Sequence, residues 1–135
     1  MDFAQFFQKI TTDIQNDGFS VTTVVGGEGE PTFVYSIGAR LKKGAEILVE
    51  GVEHRYAHQI LFELISKSLA QRIPLNDSCL IYSLLPEGLP VALIKCDKPS
   101  AWSRTAMAAR YFDVDDYEVS QLVIPDHNGL FPWDK

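Results

Sequence analysis

Apolar side chains in the first segment stand at Phe3, Phe6, Phe7, Ile10 and Ile14, with Gln5, Lys9, Thr12 and Asp13 filling the positions between them. That spacing of three and four residues draws one stripe along a helix. Asn16, Asp17 and Gly18 stop it, because glycine takes the left-handed conformation common past a helix end without steric cost. Residues 19–25 then alternate and are β-branched, and a second such run follows at residues 32–37 after a loop over 26–31. Gly38 interrupts it, a basic loop holding Arg40, Lys42 and Lys43 intervenes, and residues 45–50 form a third short strand.

The longest helical pattern covers residues 53–69, where Ala57, Ile60, Leu61, Leu64, Ile65 and Leu69 recur every three or four positions. Residues 79–85 and 91–96 are apolar runs separated by Pro86, Glu87, Gly88, Leu89 and Pro90, which predicts an antiparallel pair. Ser100 caps a third predicted helix running to about residue 111, with Trp102, Ala106 and Ala109 facing inward, and residues 119–124 make a sixth strand. Strands grouped in hairpins, without strict alternation with helices, predict an α+β fold: one domain over residues 1–135, a mainly antiparallel sheet of about six strands, and three helices packed on one face.

Composition agrees with one core. A chain of 135 residues with 46% hydrophobic and 22% charged positions folds without a metal or disulfide staple. Its net charge of −6, from 18 acidic and 12 basic residues, repels phosphate backbones and anionic headgroups, which argues against nucleic acid as a partner. Polar residues interrupt every apolar run before the roughly 20 positions of a spanning helix, so no membrane role is expected. Residues 1–8 open with an acid and several aromatics, unlike a secretory leader. Cys79 and Cys96 exclude a dense disulfide framework and leave a single bridge open, and a reduced cytoplasmic interior is the expected location.

Several clusters invite chemistry. Gly26, Gly27, Glu28, Gly29 and Glu30 resemble a phosphate loop, but the loop joins strand to strand and its two carboxylates repel phosphate. His54 and His58 stand four apart on the long helix and could give zinc two ligands, although no H-E-x-x-H pattern surrounds them. Asp113, Asp115, Asp116 and Glu118 are closely spaced carboxylates without the glycine and distal glutamate of a calcium loop, and read as a solvated connection or partner-facing patch. Asp126 and His127 lie in a turn just past the last strand. No serine sits in a G-x-S-x-G elbow and neither cysteine in a nucleophile motif. Phe131, Pro132 and Trp133 close the chain with a large apolar load suited to docking on the core or to a partner.

Two motifs carry a resemblance. Residues 33–38, FVYSIG, look like F-A-Y-T-I-G-L, and residues 121–134, QLVIPDHNGLFPWD, look like Q-L-V-W-P-D-x-x-G-x-F-P-W-D. Between them Glu46, Ile47 and Leu48 align with P-E-L-I, and residues 88–91 with G-x-P-V. The chain thereby resembles a bacterial group, the domain of unknown function 4262 family. It departs from that pattern at Ala39, at Ile124, and before Glu46, where Gly44 and Ala45 replace the family's Gly-His-Pro. The resemblance implies a shared fold and supplies no activity, cofactor or catalytic residue.

The expectation drawn from these features is a small acidic protein that binds another protein without catalysis, such as an immunity protein neutralising a toxin, through Asp113, Asp115, Asp116, Glu118 and Trp133. A second expectation is a ligand or substrate pocket formed by Tyr35, Ser36 and Gly38 with Asp126 and His127 of the 125–129 loop. Zinc held by His54 and His58 is the third; no cofactor is expected.

Overall fold

The computed structural model describes residues 3–26, 28–29, 32–43, 45–50, 52–71, 79–82, 84–85, 89–96, 105, 117–126 and 128–134. Helix α1 (Phe3–Asp17) is followed by strands β1 (Ser20–Val24) and β2 (Phe33–Ile37), a single helical turn α2 (Arg40–Lys43), β3 (Glu46–Glu50), α3 (His54–Gln71), β4 (Cys79–Ile81), β5 (Val91–Lys95), β6 (Val119–Val123) and a closing 3-10 turn, Pro132–Asp134. The predicted third helix over residues 100–111 and the acidic residues Asp113, Asp115 and Asp116 lie outside the described residues, as does His127.

The six strands form one sheet in the order β1-β2-β3-β6-β5-β4. Four neighbouring pairs are antiparallel, but β3 and β6 run parallel, from Glu46 opposite Val119 to Val49 opposite Leu122. The sheet is therefore mixed, a correction to the mainly antiparallel expectation. Its cause is α3: the helix carries the chain back along the sheet so that β4 starts in the direction of β3 at the far edge. Two reversals then bring β6 in beside β3 with the same sense.

The helices also divide between the two faces. On one, α3 buries Ala57, Ile60, Leu61, Leu64 and Ile65 against Val34, Ile47, Val49, Leu93 and Leu122. On the other, Ile10 of α1, with Phe6, Phe7 and Ile14, packs on Tyr35, Ile37, Leu48 and Val119. Strand residues of alternate parity serve the two cores, as the two-residue period requires. Both faces of the central strands are thus covered, whereas the sequence expectation put the helices on one face. Each fully buried Ile or Leu of α3 contributes about 1.5–3 kcal/mol by leaving water.

Local chemistry sets the helix ends. Gly18, at φ 90°, donates its N–H to Ile14 O at 2.9 Å and closes α1. Asp13 then accepts from both Lys9 (2.8 Å) and the Ser20 hydroxyl (2.7 Å), which ties α1 to the start of β1. The Glu53 carboxylate accepts the N–H groups of Arg55 and Tyr56 and caps α3. Within the expected basic loop, Arg40–Lys43 instead completes one helical turn, and β4 ends at Ile81 where the apolar run continues.

Candidate functional site

Glu46 opens β3 and is wholly buried. Its carboxylate accepts the Ser36 hydroxyl at 2.7 Å and the backbone N–H groups of Gly38 and Ala39 at 2.8 and 3.1 Å. Ser36 Oγ in turn accepts the Ile47 N–H at 2.9 Å. Gly38 makes this approach possible: at φ 108° it turns the chain, and a Cβ there would stand 3.2 Å from Ile14 Cγ1 and 3.3 Å from the Phe19 Cα. Arg40 Nε lies 4.0 Å from Glu46 Oε2, and its guanidinium carbon sits 6.0 Å from the centre of the Tyr117 ring. Tyr117 donates to Thr105 O at 2.9 Å and shares a short contact with the Thr105 hydroxyl.

Burial dominates the acidity here. It pushes the Glu46 carboxyl up to about 7 against the opposing pull of the Gly38 N–H, the Ser36 hydroxyl, Arg40 and the Ala39 N–H. The Tyr117 phenol is raised too, first by burial, then by the Glu46 charge, while Thr105 and Arg40 act the other way. Ser36, Glu46 and Thr105 are closed to solvent. The cluster therefore works as a clamp that fastens the end of β2 to the start of β3 and to α2, and its acceptor atoms are spent on internal donors.

A second organised segment follows β6. The Asp126 carboxylate accepts the N–H groups of Asn128 (2.9 Å) and Leu130 (3.0 Å), its own N–H donates to Leu130 O, and Gly129, at φ 80°, donates to Asp126 O. Asp134 Oδ2 then accepts the Phe131 N–H at 2.9 Å, and the Asp134 N–H donates to Phe131 O. Two aspartates thereby fix consecutive turns. Phe131 is buried at 6% exposure, Trp133 stacks on it with ring centres 4.8 Å apart and planes 12° apart, and Trp133 keeps 56% of its surface open. Leu130 beside it is 42% exposed.

The register separates residues that the sequence reading had grouped. Tyr35 lies opposite Leu48, so Ser36 and Gly38 sit at the Glu46 end of the sheet, whereas Leu122 lies opposite Val49 and the 125–129 loop continues past the other end. At about 3.3 Å per residue the two segments are roughly 20 Å apart along the strands. Tyr35 and Ser36 are themselves buried. Glu118 is at the Glu46 end as well, its backbone carbonyl accepting the Glu46 N–H at 3.0 Å and its carboxylate 4.0 Å from Lys95 Nζ. It is thus remote from Trp133 along β6.

His54 Nδ1 lies 3.3 Å from Glu53 Oε1 at the exposed start of α3. His58 stands within electrostatic reach of α1: burial first, then Lys9, hold its pKa below the usual value, with Asp13 opposing. Among the described residues no three His, Cys, Asp or Glu side chains group as metal ligands. No described helix is long and apolar enough to cross a membrane.

Glu46, Arg40, Tyr117 and Thr105 escaped the sequence reading as a cluster. One signal was present: an acidic residue opening the apolar run Glu46-Ile47-Leu48-Val49 must find donors or stay out of the core. The partners themselves are set by strand register. Residues 13–135 match the family model described as Domain of unknown function (DUF4262), nearly the whole chain. No curated protein and no solved structure matches the chain.

Proposed function

Because the chain belongs to the DUF4262 family, described as a domain of unknown function, we propose its role from its own geometry: a protein-binding module that acts without catalysis and engages its partner through the C-terminal turn. The observation that carries this reading is Trp133, more than half exposed although stacked on buried Phe131 and held by the Asp126 and Asp134 turns. Tryptophan on a rigid support supplies a large contact at little entropic cost on binding, and such residues anchor interfaces. The polar groups most suited to chemistry, Ser36 and Glu46, bond one another in the interior. A net charge of −6 favours association with a basic protein, and neutralising a toxin is the specific form this role takes.

The test compares the full chain with Trp133→Ala in native cell extract. Circular dichroism should be unchanged, because the side chain is exposed, and a protein retained by the wild type should be lost. Equal retention by both proteins, or retention of none, refutes the reading.

A further inference from the structure

We infer that the sheet end bearing Trp133 receives a positively charged, arginine-bearing segment of a partner protein; the inference rests on the protein-binding reading above and adds the partner's chemistry. The strand register defines this end. Val24 pairs with Phe33, Phe33 with Glu50, Leu122 with Val49, Ala92 with Val123 and Ile81 with Val91, so the chain leaves or enters the sheet there at Val25, Glu50, Ile124, Pro90 and Tyr82.

Two properties coincide at that end. Exposed apolar side chains lie along it: Trp133 and Leu130 in the turn after central β6, Tyr82 at 59% after edge strand β4 and Val25 at 79% after the opposite edge, β1. Acidic residues accompany them, Glu28, Glu50, Glu53, Asp126 and Asp134, with Arg55 at the start of α3 and Lys135 next to Asp134 in sequence. The opposite end mixes both signs, with Arg40 beside the buried Glu46, Lys95 beside Glu118, and Asp17 ahead of β1. The Trp133 end thus combines exposed aromatic and anionic groups, whereas the described residues at the Glu46 end carry both charges. An apolar partner surface would gain nothing from the carboxylates, and a nucleic acid or anionic membrane would be repelled by them. A guanidinium meets both features: its plane stacks on an indole or phenol face, and its N–H groups pair with carboxylates. Lysine supplies the charge without the plane.

The test titrates isotope-labelled full-length protein with an arginine-rich peptide, its lysine counterpart and a glutamate-rich peptide of the same length. With the arginine peptide, amide shifts should concentrate at Tyr82, Leu130, Trp133 and Asp134; the lysine peptide should bind several-fold more weakly and the glutamate peptide not at all. Raising the salt should weaken binding. Trp133→Ala should lower affinity about fivefold, the scale of one cation–π contact. Asp134→Asn, which keeps an acceptor for the Phe131 N–H while removing the charge, should weaken it as well. Absence of shifts, shifts centred on Arg40 and Glu118, equal binding of the arginine and lysine peptides, or variants that bind like the wild type would overturn the inference. A photo-crosslinker at position 133 separates the two readings: a native protein captured there with no dependence on salt would leave the binding role standing and reject its cationic chemistry, whereas no captured protein would reject the binding role itself.

Discussion

Glu46 shows how a single carboxylate governs a junction. The group titrates near 4.5 when exposed and is pushed to about 7 by burial in the fold. Between those values the folded protein holds a proton that the unfolded chain has released, so stability from this group falls as pH rises. The loss amounts to roughly 3 kcal/mol across the window. Urea denaturation at a series of pH values should show this decline in the wild type, and the difference between wild type and Glu46→Gln should carry it, since the variant lacks the group. That variant should be less stable at low pH too, because its amide turns a donor toward a donor. A profile shared by both proteins would show that another group titrates. The residue's importance was only half legible in sequence. An acid at the head of an apolar strand was visible, but whether it pointed to water or into a ring of donors depended on Gly38 and Ser36, eight and ten positions earlier.

At the level of elements, the glycines that close turns separate strain from crowding. Gly38 and Gly29 both hold positive φ, yet a Cβ at Gly38 meets Ile14 and the Phe19 backbone while one at Gly29 meets open space. Gly29→Ala should cost on the order of 1 kcal/mol for its left-handed backbone. Gly38→Ala should cost about 2 kcal/mol or more, because the α1 to β1 corner must move as well. Thermal melts of the two variants would decide, and equal losses would mean that the corner yields freely. The helix stop at Gly18, the amphipathic stripe of α1 and the apolar face of α3 were legible from periodicity and glycine placement alone. The one-turn helix at Arg40–Lys43 was not, since its first turn depends on the Glu46 carboxylate drawing in the N–H groups of Gly38 and Ala39. Likewise the apolar run after β4 reads as strand, but pairing stops at Ile81 because its partner β5 begins at Val91.

Across the whole molecule, position in the sheet ranks local stability. Strands β3 and β6 are central and parallel, covered by α3 on one side and by Ile10 and its neighbours on the other; β1 and β4 are edges, and β4 is three residues long. Amide hydrogen exchange should therefore be slowest at Ile47, Leu48, Val49 and Leu122, and faster by orders of magnitude at Leu80. Uniform protection across the sheet would contradict this layering. The linear chain determined the order of α1, α3 and the six strands, the buried residue types, the acidic balance and the family motifs, because each depends on neighbours a few positions away or on a sum over residues. Only the tertiary structure decided that β6 lies parallel to β3, that α1 and α3 take opposite faces, and that Ser36 and Gly38 lie at the opposite end of the strands from the turn after β6. Those outcomes follow from where α3 returns the chain along the sheet, a choice made by the packing of distant surfaces that no local pattern encodes.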